Sequence, residues 1–242
     1  MNVNLLMRHY LAMAIESVKK DRELQLYLVI GFLALIVGGG YYGYRWYAIG
    51  RAEKAQQAYA ASLEVYQQAF ATQFMAPQAT GDQHSLWEQV EVDARHALEQ
   101  YGHSSYAPFF TAFLAQSLFY QGKRDEALAT MRTAVMGMRN DTGYRGLYHM
   151  TYDLMLLDGT IAQQKVALED LEKIADDATS GVQDMALYYL GVYYGITGDH
   201  ARSVDYLKRA QQLPVVHPEL PAAQSPWQKR AAMKLSELGA DE

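Results

Sequence analysis

The sequence predicts an all-α protein in which a single N-terminal transmembrane helix precedes an α-solenoid of helical hairpins. Three observations support this fold class. Residues 24–44 contain no charged side chain. No later stretch shows the alternation of polar and apolar residues that is typical of half-buried strands. Two segments, 107–134 and 183–210, share one pattern of large and small residues over 28 positions.

The first predicted element is the uncharged run at 24–44. A helix of these 21 residues is about 31 Å long, which matches the hydrocarbon core of a bilayer. Charged residues flank the run on its N-terminal side, and Arg45 follows it among tyrosine and tryptophan residues. Aromatic side chains beside a cation favour the membrane–water interface. We therefore predict a retained transmembrane helix.

Two other interpretations of this run are weaker. A cleavable secretion signal has an apolar core of about 7–15 residues and a shorter lead than the 23 residues found here. A dinucleotide-binding loop would use the spacing Gly38-x-Gly40-x-x-Gly43. The strand before such a loop has about 4–8 apolar residues, far fewer than this run contains.

Two glycines of the run, Gly39 and Gly43, form a G-x-x-x-G pair. Such a pair allows a second membrane helix to approach closely, so both residues are predicted membrane-helix packing positions. Glycine is also common in transmembrane helices in general. Both explanations remain open from the sequence.

Charge is distributed unevenly along the 242 residues. Up to Lys54 there are seven Lys/Arg and four Asp/Glu, a net charge of +3, whereas the remainder has fourteen and twenty-three, a net charge of −9. Phosphate binding requires clustered Lys and Arg, so the acidic part argues against nucleic acid as a partner. The absence of cysteine excludes disulfides, thiolate metal ligands and cysteine nucleophiles.

The two related segments each predict a helix, a turn and a second helix. Small residues recur at fixed positions, where bulky side chains would push two antiparallel helices apart. The matched small residues are Ala115 and Gly191, Gly122 and Gly198, Ala127 and Ser203, and Ala134 and Ala210.

This pattern is that of the tetratricopeptide repeat. Units at 108–139 and 182–214 match it well, and 148–177 is a degenerate copy with an irregular turn at 157–164. Residues 87–106 supply half a unit before them. About three stacked units are needed to bury the faces of such hairpins, so the count is just sufficient.

Capping signals predict where two further helices begin. Ser85 and Glu88 have the spacing of a capping box, which predicts a helix that ends near Tyr101. Ser225 and Pro226 predict the start of a last helix, 227–238, closed by Gly239. This last helix would cover the open end of the solenoid.

These observations divide the chain into four parts. They are a cytoplasmic N-terminal segment 1–23, the transmembrane helix 24–44, a juxtamembrane helix and loop 45–82, and a tetratricopeptide-like repeat domain with a C-terminal capping helix 83–242. Four Lys/Arg residues precede the apolar run and three follow it up to Lys54, a slight bias toward a cytoplasmic N-terminus.

Two segments of the chain resemble the YfgM-like family, whose members are ancillary subunits of the SecYEG translocon. They are YGHSSYAPFFTAFLAQSLFYQGKRDEAL at 101–128 and RAAMKLSEL at 230–238. The resemblance implies a single-pass protein of the bacterial inner membrane, with its repeat domain in the periplasm. It also implies contacts with translocon subunits and with periplasmic chaperones or clients. The long lead 1–23 and the linker 215–224 depart from the family pattern.

No combination of residues indicates catalysis. The seven histidines form neither H-E-x-x-H nor a pair of histidines at i, i+4, and the chain contains no G-x-S-x-G or Walker loop. We therefore predict that the protein is not an enzyme. We expect no catalytic, cofactor-binding or metal-binding residues and no small-molecule substrate.

The predicted binding surface is the concave face of the repeats, which the first helix of each unit lines. The residues at the lining positions are largely aromatic, which suits apolar or extended peptide segments. Packing against neighbouring helices is the other explanation for each of them. The predicted partner-binding groove consists of Phe109, Gln116, Phe119, Tyr120, Tyr152, Tyr188 and Val192.

The function predicted from these features is that of a non-catalytic, membrane-anchored scaffold or adaptor of the bacterial cell envelope. It would mediate protein–protein interactions at the inner-membrane translocon and with periplasmic chaperones or client proteins. The alternative is a structural or assembly subunit of a larger inner-membrane enzyme or secretion complex, in which the repeats fill a fixed interface.

Overall fold

The computed structural model describes residues 22–74, 83–139, 143–214 and 225–239. Within these ranges the protein consists of nine α-helices joined by turns and contains no strand, so the predicted all-α class is confirmed. The helices are α1 Arg22–Phe74, α2 Gln83–Tyr101, α3 Ala107–Tyr120, α4 Arg124–Gly137, α5 Gly143–Leu157, α6 Ile161–Asp176, α7 Gln183–Ile196, α8 His200–Gln212 and α9 Pro226–Glu237.

The chain divides into two compact units, Met1–Lys54 and Ala55–Glu242. In the described part of the first unit, apolar side chains are exposed: Leu35 is 74% and Trp46 is 81% accessible. Among the described residues no helix is sufficiently long and apolar to cross a membrane. Several side chains of the predicted transmembrane segment 24–44 lie outside the described part of the chain, so this finding applies to only part of the segment. It stays a prediction.

The second unit is built by packing each helix against the next in the chain. Helices α2 to α9 contact one another in sequence order, and α9 packs on both α7 and α8. The C-terminal part of α1 joins this unit through side chains such as Tyr59, which contacts Phe113 of α3. The helix predicted within the juxtamembrane part 45–82 is therefore the end of α1, which continues without a break from Arg22 to Phe74.

Two clusters of buried side chains form the core of the second unit. The first contains Trp87, Phe113 and Leu118 and draws on α1 to α6. The second contains Leu187 and Leu207 and draws on α5 to α9. Helix α5 contributes to both clusters, so it joins the two halves of the core.

Three-residue turns connect α3 to α4, α5 to α6, and α7 to α8. Gly122 and Gly198 take positive φ angles of 80° and 87°, a conformation that glycine adopts without steric cost, as the predicted turns require. The middle turn, 158–160, was predicted to be irregular, and it does differ from the other two because Gly159 has no positive φ angle. It has the same length, but Thr160 closes it through a capping box with Gln163. Gly159 is needed there because a Cβ would clash with the Gln163 side chain and the preceding turn.

Two of the predicted small residues, Gly191 and Ser203, lie where α7 and α8 approach closely. A Cβ on Gly191 of α7 would lie 2.6 Å from Leu207 Cγ of α8. At the same crossing Ser203 Oγ donates a hydrogen bond to the Gly191 carbonyl oxygen at 2.7 Å. The middle hairpin, α5 and α6, has larger residues at these positions. When Gly159 is aligned with Gly198, the positions of Gly191, Ser203 and Ala210 are occupied by Tyr152, Gln164 and Leu171.

The predicted helix ends agree with the structure at both ends of α9 and at the C-terminal end of α2, Tyr101, but not at the start of α2. Helix α9 begins with Ser225 as N-cap in a capping box with Gln228, and Gly239 follows its end with a φ of 66°. Helix α2 already begins at Gln83, so the predicted Ser85 cap is wrong. An N-cap residue has non-helical backbone angles, whereas Ser85 lies inside the helix, and Glu88 lies 3.4 Å from His84 one turn earlier. The segments 1–21, 75–82 and 215–224 lie outside the described residues.

The close crossing at Gly191 generates a stability prediction. Alanine normally stabilises a helix interior by about 1 kcal/mol relative to glycine. Gly191→Ala should instead lower the free energy of unfolding by about 1–3 kcal/mol, because the added methyl group overpacks against Leu207. Urea denaturation followed by circular dichroism measures this.

Gly146→Ala in α5 is the matched control for that substitution. A Cβ there meets only the Val182 side chain at 3.5 Å, an ordinary contact. The control should leave stability unchanged or raise it. Equal effects of the two substitutions would show that the α7–α8 crossing is not close.

Candidate functional site

The seven residues of the predicted groove are not exposed. Gln116 is buried, and the side chains of the other six are partly buried. Each therefore has neighbours within the fold, and the identity of those neighbours decides what surface remains for a partner.

The C-terminal part of α1 packs over the first groove positions. Tyr66 stacks on Phe113 with ring centroids 4.9 Å apart, and its hydroxyl donates a hydrogen bond to Gln116 Oε1 at 2.7 Å. Tyr59 lies against Phe109 at 5.4 Å. Burial raises the pKa of Tyr66, so its hydroxyl stays protonated and remains a donor. Phe109 and Gln116 thus form helix–helix contacts.

The groove positions at the end of α3 pack on α2 and on the following turn. Tyr120 stacks on Trp87 with centroids 4.3 Å apart, and burial raises the pKa of Tyr120 to about 12. The guanidinium carbon of Arg124 lies 5.5 Å from the Phe119 ring centroid, a cation–π distance. Arg124 also forms an ion pair of 2.8 Å with Asp158, which ties this hairpin to the next.

The remaining groove positions lie in different surroundings. Tyr152 lines a cleft of about 420 Å³ that α4 and α6 enclose with α5. Tyr188 packs against the indole of Trp227 in α9, with centroids 5.5 Å apart. Val192 is partly buried further along the same helix. The predicted set is therefore distributed along the unit, and its assignment as one partner-binding groove stays a prediction.

A second cleft, of about 430 Å³, combines apolar lining with exposed side chains. Helix α5 contributes Tyr144 and Leu147, which are 56% and 40% exposed, and α9 contributes Trp227. Val182 and Met185 form its floor at the start of α7. Sequence reasoning missed the α5 residues because the degenerate middle unit was started at Tyr148, whereas the helix begins five residues earlier at Gly143.

One polar cluster lies between α5 and α6. Asp153 is completely buried, and neither of its carboxylate oxygens has a hydrogen-bond partner among the described residues. His149 Nδ1 lies 4.0 Å from Asp153 Oδ2, and Asp170 completes a group whose donor atoms all lie within 4.8 Å of one another. Burial raises the pKa of Asp153 to about 8, with a smaller contribution from the Asp170 charge.

Sequence reasoning expected no metal-binding residues and did not single out this cluster. The spacing His149-x-x-x-Asp153 was the available signal, because it puts both side chains on one face of a helix. Asp170 comes from another helix, 17 positions after Asp153. No spacing rule identifies such a partner.

The predicted packing glycines lie in the first unit. Gly39 and Gly43 are both exposed, and a Cβ built on either would meet no atom of the described residues within 4 Å. Their packing against a second membrane helix stays a prediction.

Comparison with known proteins identifies no relative. No protein-family model matches the chain, and no curated protein or solved structure matches it. Its function is therefore inferred from its own residues.

The Tyr66–Gln116 hydrogen bond generates a prediction. Tyr66→Phe should lower the free energy of unfolding by about 1–3 kcal/mol, because a buried amide oxygen loses its donor. The double variant Tyr66→Phe/Gln116→Leu should recover part of that loss, because it removes both polar partners. Denaturation of the four proteins in a double-mutant cycle measures the coupling, and additive effects would contradict a buried hydrogen bond.

Proposed function

We propose that the protein is a non-catalytic, membrane-anchored adaptor of the bacterial cell envelope. One helix holds it in the inner membrane with the N-terminus in the cytoplasm, and the repeat domain in the periplasm binds other proteins. The observation that carries the proposal is the uncharged run at 24–44, whose described side chains are exposed. The resemblance to YfgM-like proteins suggests translocon subunits and periplasmic chaperones or clients as partners.

The exposed apolar side chains of the first unit support the anchor. Leu33, Leu35 and Val37 are between 55% and 74% exposed. Exposing apolar surface to water costs about 25 cal/mol per Å², and a bilayer removes that cost. Further along α1, Tyr44 and Trp46 are also exposed and flank Arg45, as expected for residues at the headgroup level.

The packing of the second unit supports the repeat assignment. Helices contact their neighbours in sequence, and three pairs are joined by turns of equal length. Stacked helical hairpins produce this pattern because each unit buries its apolar face against the next. Helix α9 covers the last pair, as a terminal cap would.

The cleft beside Trp227 is the surface best suited to a partner. An exposed aromatic and an exposed aliphatic side chain, Tyr144 and Leu147, stand over an apolar floor with Asp184 among the lining residues. Aromatic and aliphatic anchors in a concave site are typical of interface hot spots. A short apolar segment of a protein partner fits this chemistry.

One observation favours the alternative, a structural or assembly subunit of a larger inner-membrane complex. The predicted groove residues pack mainly within the fold, which leaves less concave surface for transient clients. A fixed neighbouring subunit would then cover the Trp227 cleft permanently. The two functions differ in how many proteins contact that cleft.

Membrane anchoring is tested by alkaline carbonate extraction of bacterial membranes that contain the full chain. The wild type should stay in the membrane pellet. Leu33→Lys/Val37→Lys should shift a large fraction to the supernatant, because each charge at the centre of a helix costs about 2.5–3.5 kcal/mol on insertion. Met136→Lys, on an exposed residue of α4, should stay in the pellet. Extraction of the wild type would refute the anchor.

Partner binding is tested by photocrosslinking in living bacteria with a probe at Leu147 in the cleft. A probe at Met136, which is 71% exposed on α4, is the control surface. An adaptor should give several crosslinked proteins from Leu147 and few from Met136. A single crosslinked protein at full occupancy would favour the fixed-subunit alternative, and equal patterns from both probes would exclude the cleft as an interface.

A further inference from the structure

We propose that His149, Asp153 and Asp170 form a binding site for Zn²⁺ or a related divalent transition-metal ion between α5 and α6. Three side chains from two helices converge there, with all donor atoms within 4.8 Å of one another. The site is independent of the proposed adaptor function. It concerns a cluster that neither the anchor nor the partner cleft uses.

The buried carboxylate is the observation that indicates a ligand. Asp153 is 0% exposed, and both of its oxygens lack a hydrogen-bond partner among the described residues. A buried carboxylate without partners is costly, and buried charges in proteins are normally paired or coordinated to metals. His149 Nδ1, at 4.0 Å, is too distant to supply a hydrogen bond. A cation between the two groups would supply what the carboxylate lacks.

The geometry requires only a small movement. Ligand atoms about 2.0–2.2 Å from a tetrahedral metal lie roughly 3–4 Å from one another. The donors of the cluster must therefore close by about 1 Å, which side-chain rotation can provide. His149 and Asp153 are one helical turn apart on α5, so both can bind the same ion.

The ion would have a path from solvent. The His149 side chain is 41% exposed and that of Asp170 is 31% exposed, whereas Asp153 closes the inner side. The cation that faces the cluster is Lys173, whose Nζ lies 2.7 Å from Asp170 Oδ1. Lys173 is 73% exposed, and such a surface ion pair contributes little free energy, so a metal ion can displace it.

The donor set indicates the class of metal. One imidazole and two carboxylates suit Zn²⁺ and related transition metals, whereas Mg²⁺ and Ca²⁺ prefer sites made of oxygen atoms alone. Three protein ligands leave at least one coordination position for water or for a partner's side chain.

A metal ion at this site would link α5 and α6, the hairpin that lacks the small residues found at the helix crossings of the other two hairpins. The other two hairpins have small residues at positions where this one has Tyr152, Gln164 and Leu171. Coordination from α5 and α6 would link the two helices directly. Because α5 belongs to both core clusters, the ion would stabilise the junction between them.

The proposal is tested with the full chain, solubilised in detergent, stripped with EDTA and titrated with Zn²⁺ by calorimetry. The wild type should bind one ion per chain and gain thermal stability. Asp153→Asn keeps the shape of the side chain but removes its charge, and it should bind at least about tenfold more weakly. His149→Gln should weaken binding similarly. The absorption spectrum of Co²⁺ should change on addition to the wild type but not to Asp153→Asn.

His84→Gln is the matched control variant. His84 and Glu88 have the same i, i+4 spacing in α2, but both are exposed, and no third potential ligand joins them in the part of the chain that the structure describes. This variant should bind Zn²⁺ as the wild type does. Circular dichroism establishes that each variant is folded before titration.

Three results would overturn the proposal. The first is a wild type that binds no stoichiometric Zn²⁺, which would leave Asp153 as a protonated core residue. The second is binding that survives both Asp153→Asn and His149→Gln. The third is displacement of Zn²⁺ by millimolar Mg²⁺ or Ca²⁺, which would exclude a transition-metal site.

Discussion

The helices of the second unit have apolar side chains that must be buried, and adjacent helices cover them. This constraint orders the unit: each helix contacts the next in the chain, and the last helix covers the face that the preceding pair would otherwise expose. Close approach then requires small residues at the crossings, and Gly191 beneath Leu207 is the clearest case. Three of the contacting pairs, α3–α4, α5–α6 and α7–α8, are joined by three-residue turns.

The middle hairpin meets the same constraint by other means. It replaces a left-handed glycine turn with the Thr160 capping box, and it has large residues where its neighbours have small ones. Its first helix supplies Met155 to one core cluster and Met150 to the other. Asp153 lies between these two residues in sequence and is buried without a partner. The least regular hairpin thus joins the two halves of the core and contains the one cluster of potential metal ligands found in the described residues.

The two units of the chain differ in whether their large apolar side chains are buried or exposed. The second unit encloses its large apolar side chains, such as Phe113 and Leu187, within the helical packing. The described part of the first leaves apolar side chains such as Leu35 and Trp46 exposed. Such a contrast within one chain is expected when one unit is solvated by water and the other by lipid or by a partner helix. The proposed anchor and adaptor roles rest on this contrast.

Local sequence signals by themselves determined the helical class, the turns at Gly122 and Gly198, and the start of the last helix at Ser225. Each depends on residues close together in the chain, since periodicity, capping and glycine conformation act over a few positions. Tertiary structure alone decided that Tyr66 covers Gln116, that the Trp227 cleft includes Leu147, and that Asp170 approaches Asp153. Those contacts join residues on different helices. Their distances depend on how the helices pack, which no spacing along one helix encodes.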